Sequence, residues 1–212
     1  GAGTNNIPVD EMSARGVPVF NTPGANANAV KELTIAGMLI GARNLCQASE
    51  YVAALEETGD ALNKVVEAGK KQFAGFELPG KTLGVIGLGA IGVEVANAAL
   101  SLGMKVVGFD SAITVQNAWQ LSSGVEQADT LDQLFQRADF VTLHVPLMEA
   151  TRNIVNADRL QLMKDGAVLV NFARDGIVDD AAAIAALDSD KLHSFVTDFP
   201  TPELIKHPKA VT

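Results

Sequence analysis

The stretch Val85-Ile86-Gly87-Leu88-Gly89-Ala90-Ile91-Gly92, followed by Val93-Glu94-Val95-Ala96 and later by Val106-Val107-Gly108-Phe109-Asp110, decides the fold. The apolar run from Leu83 to Ile86 reads as a buried strand entering a turn, with a helix beginning near Ala90. Gly87 permits the tight bend, Gly89 lets a ligand approach the backbone, and Gly92 lets strand and helix pack closely. The first-turn N–H groups of a helix have no partner within it and lie at the positive end of its dipole, so they suit phosphate. Asp110 closes a second apolar strand about twenty residues on, where a carboxylate accepts from both hydroxyls of an adenosine ribose. These parts in this order point to a dinucleotide site, whereas a structural glycine turn needs only the glycines. A 2′-phosphate would meet like charge at Asp110, and Ser111-Ala112-Ile113 offer no Lys or Arg to neutralise it, which selects NAD over NADP.

Composition agrees. The chain has 212 residues, 48% of them hydrophobic, enough for one full α/β core and an appendage. Its net charge of −9, with no basic cluster beyond Lys70-Lys71, excludes nucleic acid as a partner. The single cysteine, Cys46, cannot form an intrachain disulfide and reads as a thiol on an apolar helix, in keeping with a reducing cytoplasm. The apolar run around Leu33 to Ile40 is too short for a membrane span, and no signal peptide opens the chain. The text opens on loop-like Gly1-Ala2-Gly3-Thr4 and stops at strand-like Ala210-Val211-Thr212, so it reads as cut at both ends.

Ahead of the glycine turn, residues 10–15 suggest a short helix, Val17 to Phe20 a short strand, and Asn21-Thr22-Pro23-Gly24-Ala25-Asn26 a turn. The next helix, Ala27 to Cys46, is apolar nearly all round and calls for a second surface to bury against. Residues 47–75 are polar and read as one or two surface helices. From Lys81 on, strands at 83–86, 105–109, 140–145, 167–170 and 192–197 alternate with helices at 91–102, 131–136, 157–162 and 179–187. That alternation is a doubly wound parallel sheet of Rossmann type.

Ligands of such sheets bind beyond the carboxyl ends of the strands. There the chain places Asp110, His144-Val145-Pro146, Asn171-Phe172-Ala173-Arg174-Asp175-Gly176 and Asp198-Phe199-Pro200, with Glu203 close by. Arg174 reads either as a bidentate carboxylate anchor or as a surface partner of Asp175, Asp179 or Asp180. His144 reads as a catalytic base or a satisfied core histidine, Asp198 as a ligand contact or a cap, and Glu203 as a working or a solvated carboxylate.

Taken together, Gly87-Leu88-Gly89-Ala90-Ile91-Gly92, His144-Val145-Pro146-Leu147, Asn171-Phe172-Ala173-Arg174 and Asp198 resemble the D-isomer-specific 2-hydroxyacid dehydrogenases over essentially the whole chain. Within that family, Gly1 to Asn6 and Asn21 to Leu33 look most like D-3-phosphoglycerate dehydrogenases. The resemblance implies NAD-dependent oxidation of D-3-phosphoglycerate to 3-phosphohydroxypyruvate, the entry step of serine synthesis. It implies Arg174 as the residue gripping substrate and Glu203 as the partner of a catalytic histidine. Gly87, Gly89, Ala90, Ile91, Gly92, Asp110, His144, Val145, Pro146, Thr151, Phe172, Ala173, Arg174 and Asp198 would contact the coenzyme. Gly1, Ala2 and Asn26 would touch substrate. Residues 1–24 would be a remnant of a substrate domain, 25–212 the NAD-binding domain, and the helical segment 27–76 a homodimer interface.

Three departures accompany the likeness. Arg174-Asp175 stands where the family carries Arg-Gly, and Pro202-Glu203 reverses the usual Glu-Pro. The family's Pro-His pair would fall beyond Thr212, and neither His193 nor His207 matches it. These residues alone are therefore expected to bind NAD and turn over poorly, since loss of a general base costs roughly 10²–10⁴-fold. The alternatives are a sibling acting on glyoxylate, hydroxypyruvate or D-lactate, and a non-catalytic NAD-sensing scaffold.

Overall fold

The computed structural model describes residues 3–4 and 6–212. In chain order the elements are α1 (Val9–Ala14), α2 (Ala27–Arg43), α3 (Leu45–Ala53), α4 (Gly59–Gly69), β1 (Thr82–Ile86), α5 (Ala90–Ser101), β2 (Lys105–Phe109), α6 (Val115–Gln120) and β3 (Val125–Gln127). There follow α7 (Leu131–Arg137), β4 (Phe140–Leu143), α8 (Ala157–Leu162), β5 (Ala167–Asn171), α9 (Asp180–Asp188), β6 (Leu192–Thr197), α10 (Pro202–Lys206) and β7 (Ala210–Val211). The strands form one parallel sheet in the order β3-β2-β1-β4-β5-β6-β7. The order reverses between β1 and β4, and a crevice opens there beyond the strand ends.

The strands are continuous apolar runs because helices cover both faces of the sheet. Alternate residues serve opposite cores. Leu83, Val85, Val106, Phe140, Val168 and Val196 pack with Met38 and Ala42 of α2 and with Val93, Val95 and Ala99 of α5. Ile86, Val107, Val141, Leu169 and Phe195 pack with Leu134 of α7, Leu160 of α8, Leu187 of α9 and Leu204 of α10. Thr114, Thr130, Asn156, Asp179 and Thr201 each accept an N–H from the first turn of the helix they cap, which fixes where α6 to α10 begin after the strand ends.

Three expectations are corrected. Val17 to Phe20 forms no strand: no neighbouring strand pairs with it among the described residues, and Phe20 is exposed. The helix expected through Cys46 ends at Arg43, because Asn44 takes a left-handed conformation at φ 52° and α3 starts anew after it. One face of α2, with Thr34, Gly37, Met38, Gly41 and Ala42 buried, is seated on its own sheet: a Cβ at Gly37 would lie 2.9 Å from the Phe172 ring, and one at Gly41 2.6 Å from Ser194 Oγ. The two glycines thus allow α2 to lie against β6 and the end of β5, with Leu33 and Leu39 still exposed. The short elements β3, α6 and α10 lie in segments where no element was expected. Among the described residues no helix is long and apolar enough to cross a membrane.

Candidate functional site

Gly87 follows β1 with φ 93°, a conformation that disfavours side chains, and a Cβ there would lie 2.7 Å from the His144 carbonyl oxygen. A Cβ on Gly92 would overlap the Gly87 carbonyl oxygen, so the helix comes this close to the turn only with glycine in both places. Gly89 differs: a Cβ there meets nothing within 4 Å. The space above it is open, and it lies at the N-terminal end of α5, where the first-turn N–H groups have no partner within the helix. Asp110 stands at the tip of β2, one carboxylate oxygen accepting from Leu88 N at 2.7 Å and the other from Ala112 N at 2.8 Å. Each oxygen keeps a lone pair for a further donor, so Asp110 both clamps the glycine turn and presents acceptors outward.

Beside Asp110 lies a pocket of about 130 Å³ walled by Leu88, Gly108, Ile113, Leu121, Val125, Glu126 and Gln127. Its walls are apolar, its ionisable lining residues are acidic, and the nearby Arg137 is paired with Glu126. This arrangement fits an adenosine with a free 2′-hydroxyl and opposes a 2′-phosphate.

Across the turn an open cleft of about 610 Å³ is lined by Gly3, Asn6, Pro23, Gly24, Asn26, Gly89, Ala90, Ile91, His144 and Arg174. The structure thus brings six of the expected site residues, Asn26, Gly89, Ala90, Ile91, His144 and Arg174, into one cavity. Gly24 has φ 79° and its turn lies beside α5: a Cβ there would lie 3.6 Å from the Ala90 side chain. His144 follows β4 and its Nε2 is 3.0 Å from the buried Thr142 hydroxyl. Burial pushes its pKa down to about 4, so the ring is neutral near pH 7. Arg174 is exposed, and one of its N–H groups donates to its neighbour Ala173 O at 2.6 Å. Among the described residues none of the ion pairs includes Arg174, so the surface-pairing reading falls away and the guanidinium keeps donors for an anion.

Other expected residues stand elsewhere. Thr151 is buried and pins the loop after β4, donating to Pro146 O at 2.6 Å and accepting from Met148 N at 2.8 Å. Val145 packs over Gly87, Pro146 is exposed beside it, and the Phe172 ring lies on α2 at Gly37 rather than on the cleft wall. Asp198 is exposed just past β6. Glu203 occupies the first turn of α10 along a groove with Leu187, Lys206 and His207, away from the cleft lining. Burial first, and then the carboxylates of Asp175, Asp179 and Glu203, hold the Asp180 carboxyl above its usual range, which places Glu203 near other acids. Gly1 and Ala2 lie outside the described residues. Sequence reading missed Gly3, Asn6, Pro23 and Gly24 as lining; the Asn-Thr-Pro-Gly text beside Asn26 was the available signal. Among the described residues no cluster of His, Cys, Asp and Glu is fit to hold a metal.

Comparison with known proteins assigns the ancestry. Residues 35–212 match the family described as D-isomer specific 2-hydroxyacid dehydrogenase, NAD binding domain. Among curated relatives, D-3-phosphoglycerate dehydrogenase of Methanocaldococcus jannaschii is 42% identical over 93% of this chain and 35% of its own length. Hydroxypyruvate reductase of Thermotoga maritima is 40% identical over 96% of this chain and 63% of its own. Of solved structures, apo D-mandelate dehydrogenase from Rhodotorula graminis superposes with TM-score 0.82 at 32% identity, covering all of this chain and 62% of that one. D-lactate dehydrogenase from Aquifex aeolicus, complexed with NAD and lactic acid, does so with TM-score 0.78 at 25% identity, over all of this chain and 66% of that one. The chain spans between about a third and two thirds of the length of these relatives. It belongs to the D-isomer specific 2-hydroxyacid dehydrogenases and carries their NAD-binding domain.

Proposed function

We propose that this chain serves the NAD-dependent oxidation of D-3-phosphoglycerate to 3-phosphohydroxypyruvate in the cytoplasm, with residues 25–212 as the coenzyme domain and 1–24 as part of a substrate domain. The observation that carries the reading is an unpaired guanidinium, Arg174, on the same cleft as the open first turn of α5. NAD supplies the hydride acceptor. The protein's own residues do the holding: Asp110 takes the ribose hydroxyls, Gly89 to Gly92 present N–H groups to the diphosphate, and Arg174 orients the substrate carboxylate. Asp198 binds the carboxamide end, and Glu203 reaches its role only if α10 turns it toward the cleft. His144, neutral at pH 7, adds no charge to the region where hydride moves.

A second reading has its own support. Arg174 is the only cation among the described residues lining the cleft, and one cation suits a single anionic group. That favours an unphosphorylated 2-oxo acid such as hydroxypyruvate or glyoxylate. Spectrophotometry of the full-length enzyme decides between them: NADH appearing with 3-phosphoglycerate is the expected result, and NADH consumption confined to hydroxypyruvate or glyoxylate would overturn it. We infer further that two copies pair through α2 and α3, where Leu33, Leu39, Leu45 and Val52 are exposed. Light scattering at micromolar concentration should give twice the chain mass, and a monomer would refute the pairing.

A further inference from the structure

We infer that Asn171 is the positioning residue for Arg174, setting the direction in which the guanidinium leaves the sheet; the inference rests on Arg174 being the substrate anchor. Asn171 ends β5 and is 2% exposed. Its register neighbours are Leu143 at the end of β4 and Thr197 at the end of β6, so it stands centrally among strand ends that lead into His144, Arg174 and Asp198. A buried amide is costly unless bonded. Both polar ends of this one are spent on the turn that follows: Oδ1 accepts from Ala173 N at 3.1 Å and Nδ2 donates to Arg174 O at 2.9 Å.

Two bonds from one side chain, to residues two and three further on, close small rings that fix the backbone of 172–174. The direction of the Arg174 Cα–Cβ bond follows from that backbone. The side chain itself is exposed; among the described residues it makes no ion pair, and its one side-chain hydrogen bond is to Ala173 O. Aspartate would keep the acceptor for Ala173 N, lose the donor to Arg174 O and set a carboxylate oxygen against that carbonyl. Serine would keep neither geometry.

The test uses the full-length enzyme with Asn171→Asp, Asn171→Ser, Arg174→Ala and the double variant Asn171→Asp with Arg174→Ala. Asn171→Asp is expected to raise KM for the 2-hydroxy acid about tenfold, while Kd for ADP-ribose, which reports the adenosine half alone, stays within about twofold. The double variant should be no worse than Arg174→Ala alone, because both changes remove one contact. A merely structural role would weaken ADP-ribose binding together with KM, and that result overturns the inference. If Arg174→Ala raises KM and both Asn171 variants leave it unchanged, the inference falls and the reading of Arg174 stands. If Arg174→Ala leaves KM unchanged, both fall. Should Asn171→Asp fail to fold, Asn171→Ser carries the same comparison.

Discussion

The two halves of the crevice are built from different materials. Around Gly87, Gly89, Gly92 and Asp110 the site is backbone: Gly87 and Gly92 tolerate contacts no side chain could, Gly89 leaves open space, and one carboxylate clamps the turn through Leu88 N. Around Arg174, Asp198 and Glu203 it is side chains on two separate strand ends and one short helix, all exposed, with Glu203 on a different groove. A backbone site is preorganised as soon as the sheet forms. A side-chain site depends on what holds each chain in direction, as Asn171 does for Arg174.

The contrast is broken most severely at Gly92. Gly92→Ala pushes a methyl into the Gly87 carbonyl and should lower stability by about 3 kcal/mol, measured by urea unfolding, with NAD binding lost alongside. An unchanged urea midpoint would mean that the turn has slack. Next, Asp110→Asn should weaken NAD about tenfold in calorimetry and narrow its advantage over NADP; an unaltered Kd would remove the ribose contact from the account.

The pH dependence sharpens the comparison by testing the boundary between the halves. His144 binds its proton near 6.5 when unfolded and near 4 when folded, so stability is full above 6.5 and falls as pH drops toward 4. Unfolding at pH 5 should cost about 2 kcal/mol less than at pH 7. His144→Asn should flatten most of that slope, leaving the smaller part from His193, whose pKa burial also lowers. A slope unchanged in the variant would show that His144 titrates normally. The smallest effect is expected at Thr151: Thr151→Val deletes the bonds to Pro146 O and Met148 N and should cost about 1 kcal/mol in stability, with ADP-ribose affinity kept. Loss of that affinity would make Thr151 a ligand contact.

The same division explains what was readable beforehand. Glycine spacing, apolar strands buried on both faces and a terminal acid are local signals, and β1, β2, α5 and Asp110 lie where those signals put them. Val17 to Phe20 has strand composition and no partner strand, which no local pattern reveals. The break at Asn44 depends on one residue tolerating a left-handed backbone in a run that is otherwise helical. Phe172 turns onto α2 because Gly37 leaves room, a contact 135 positions away in the chain (172 − 37); the Gly37 to Gly41 spacing was a visible sign that α2 lies close on something. Val125 to Gln127 is short and polar because it is an edge strand, and Glu203 lies on a helix of five residues, too brief for periodicity to show.

Calorimetric titration of the folded protein with NAD and, in parallel, with NADP tests the central claim most directly. Saturable heat with NAD and affinity for NADP at least about tenfold lower is the expected result, since a 2′-phosphate at Asp110 meets like charge without a cation. No heat with NAD, or equal affinity for both coenzymes, would contradict the placement of the ribose on Asp110 and the diphosphate over the glycine turn.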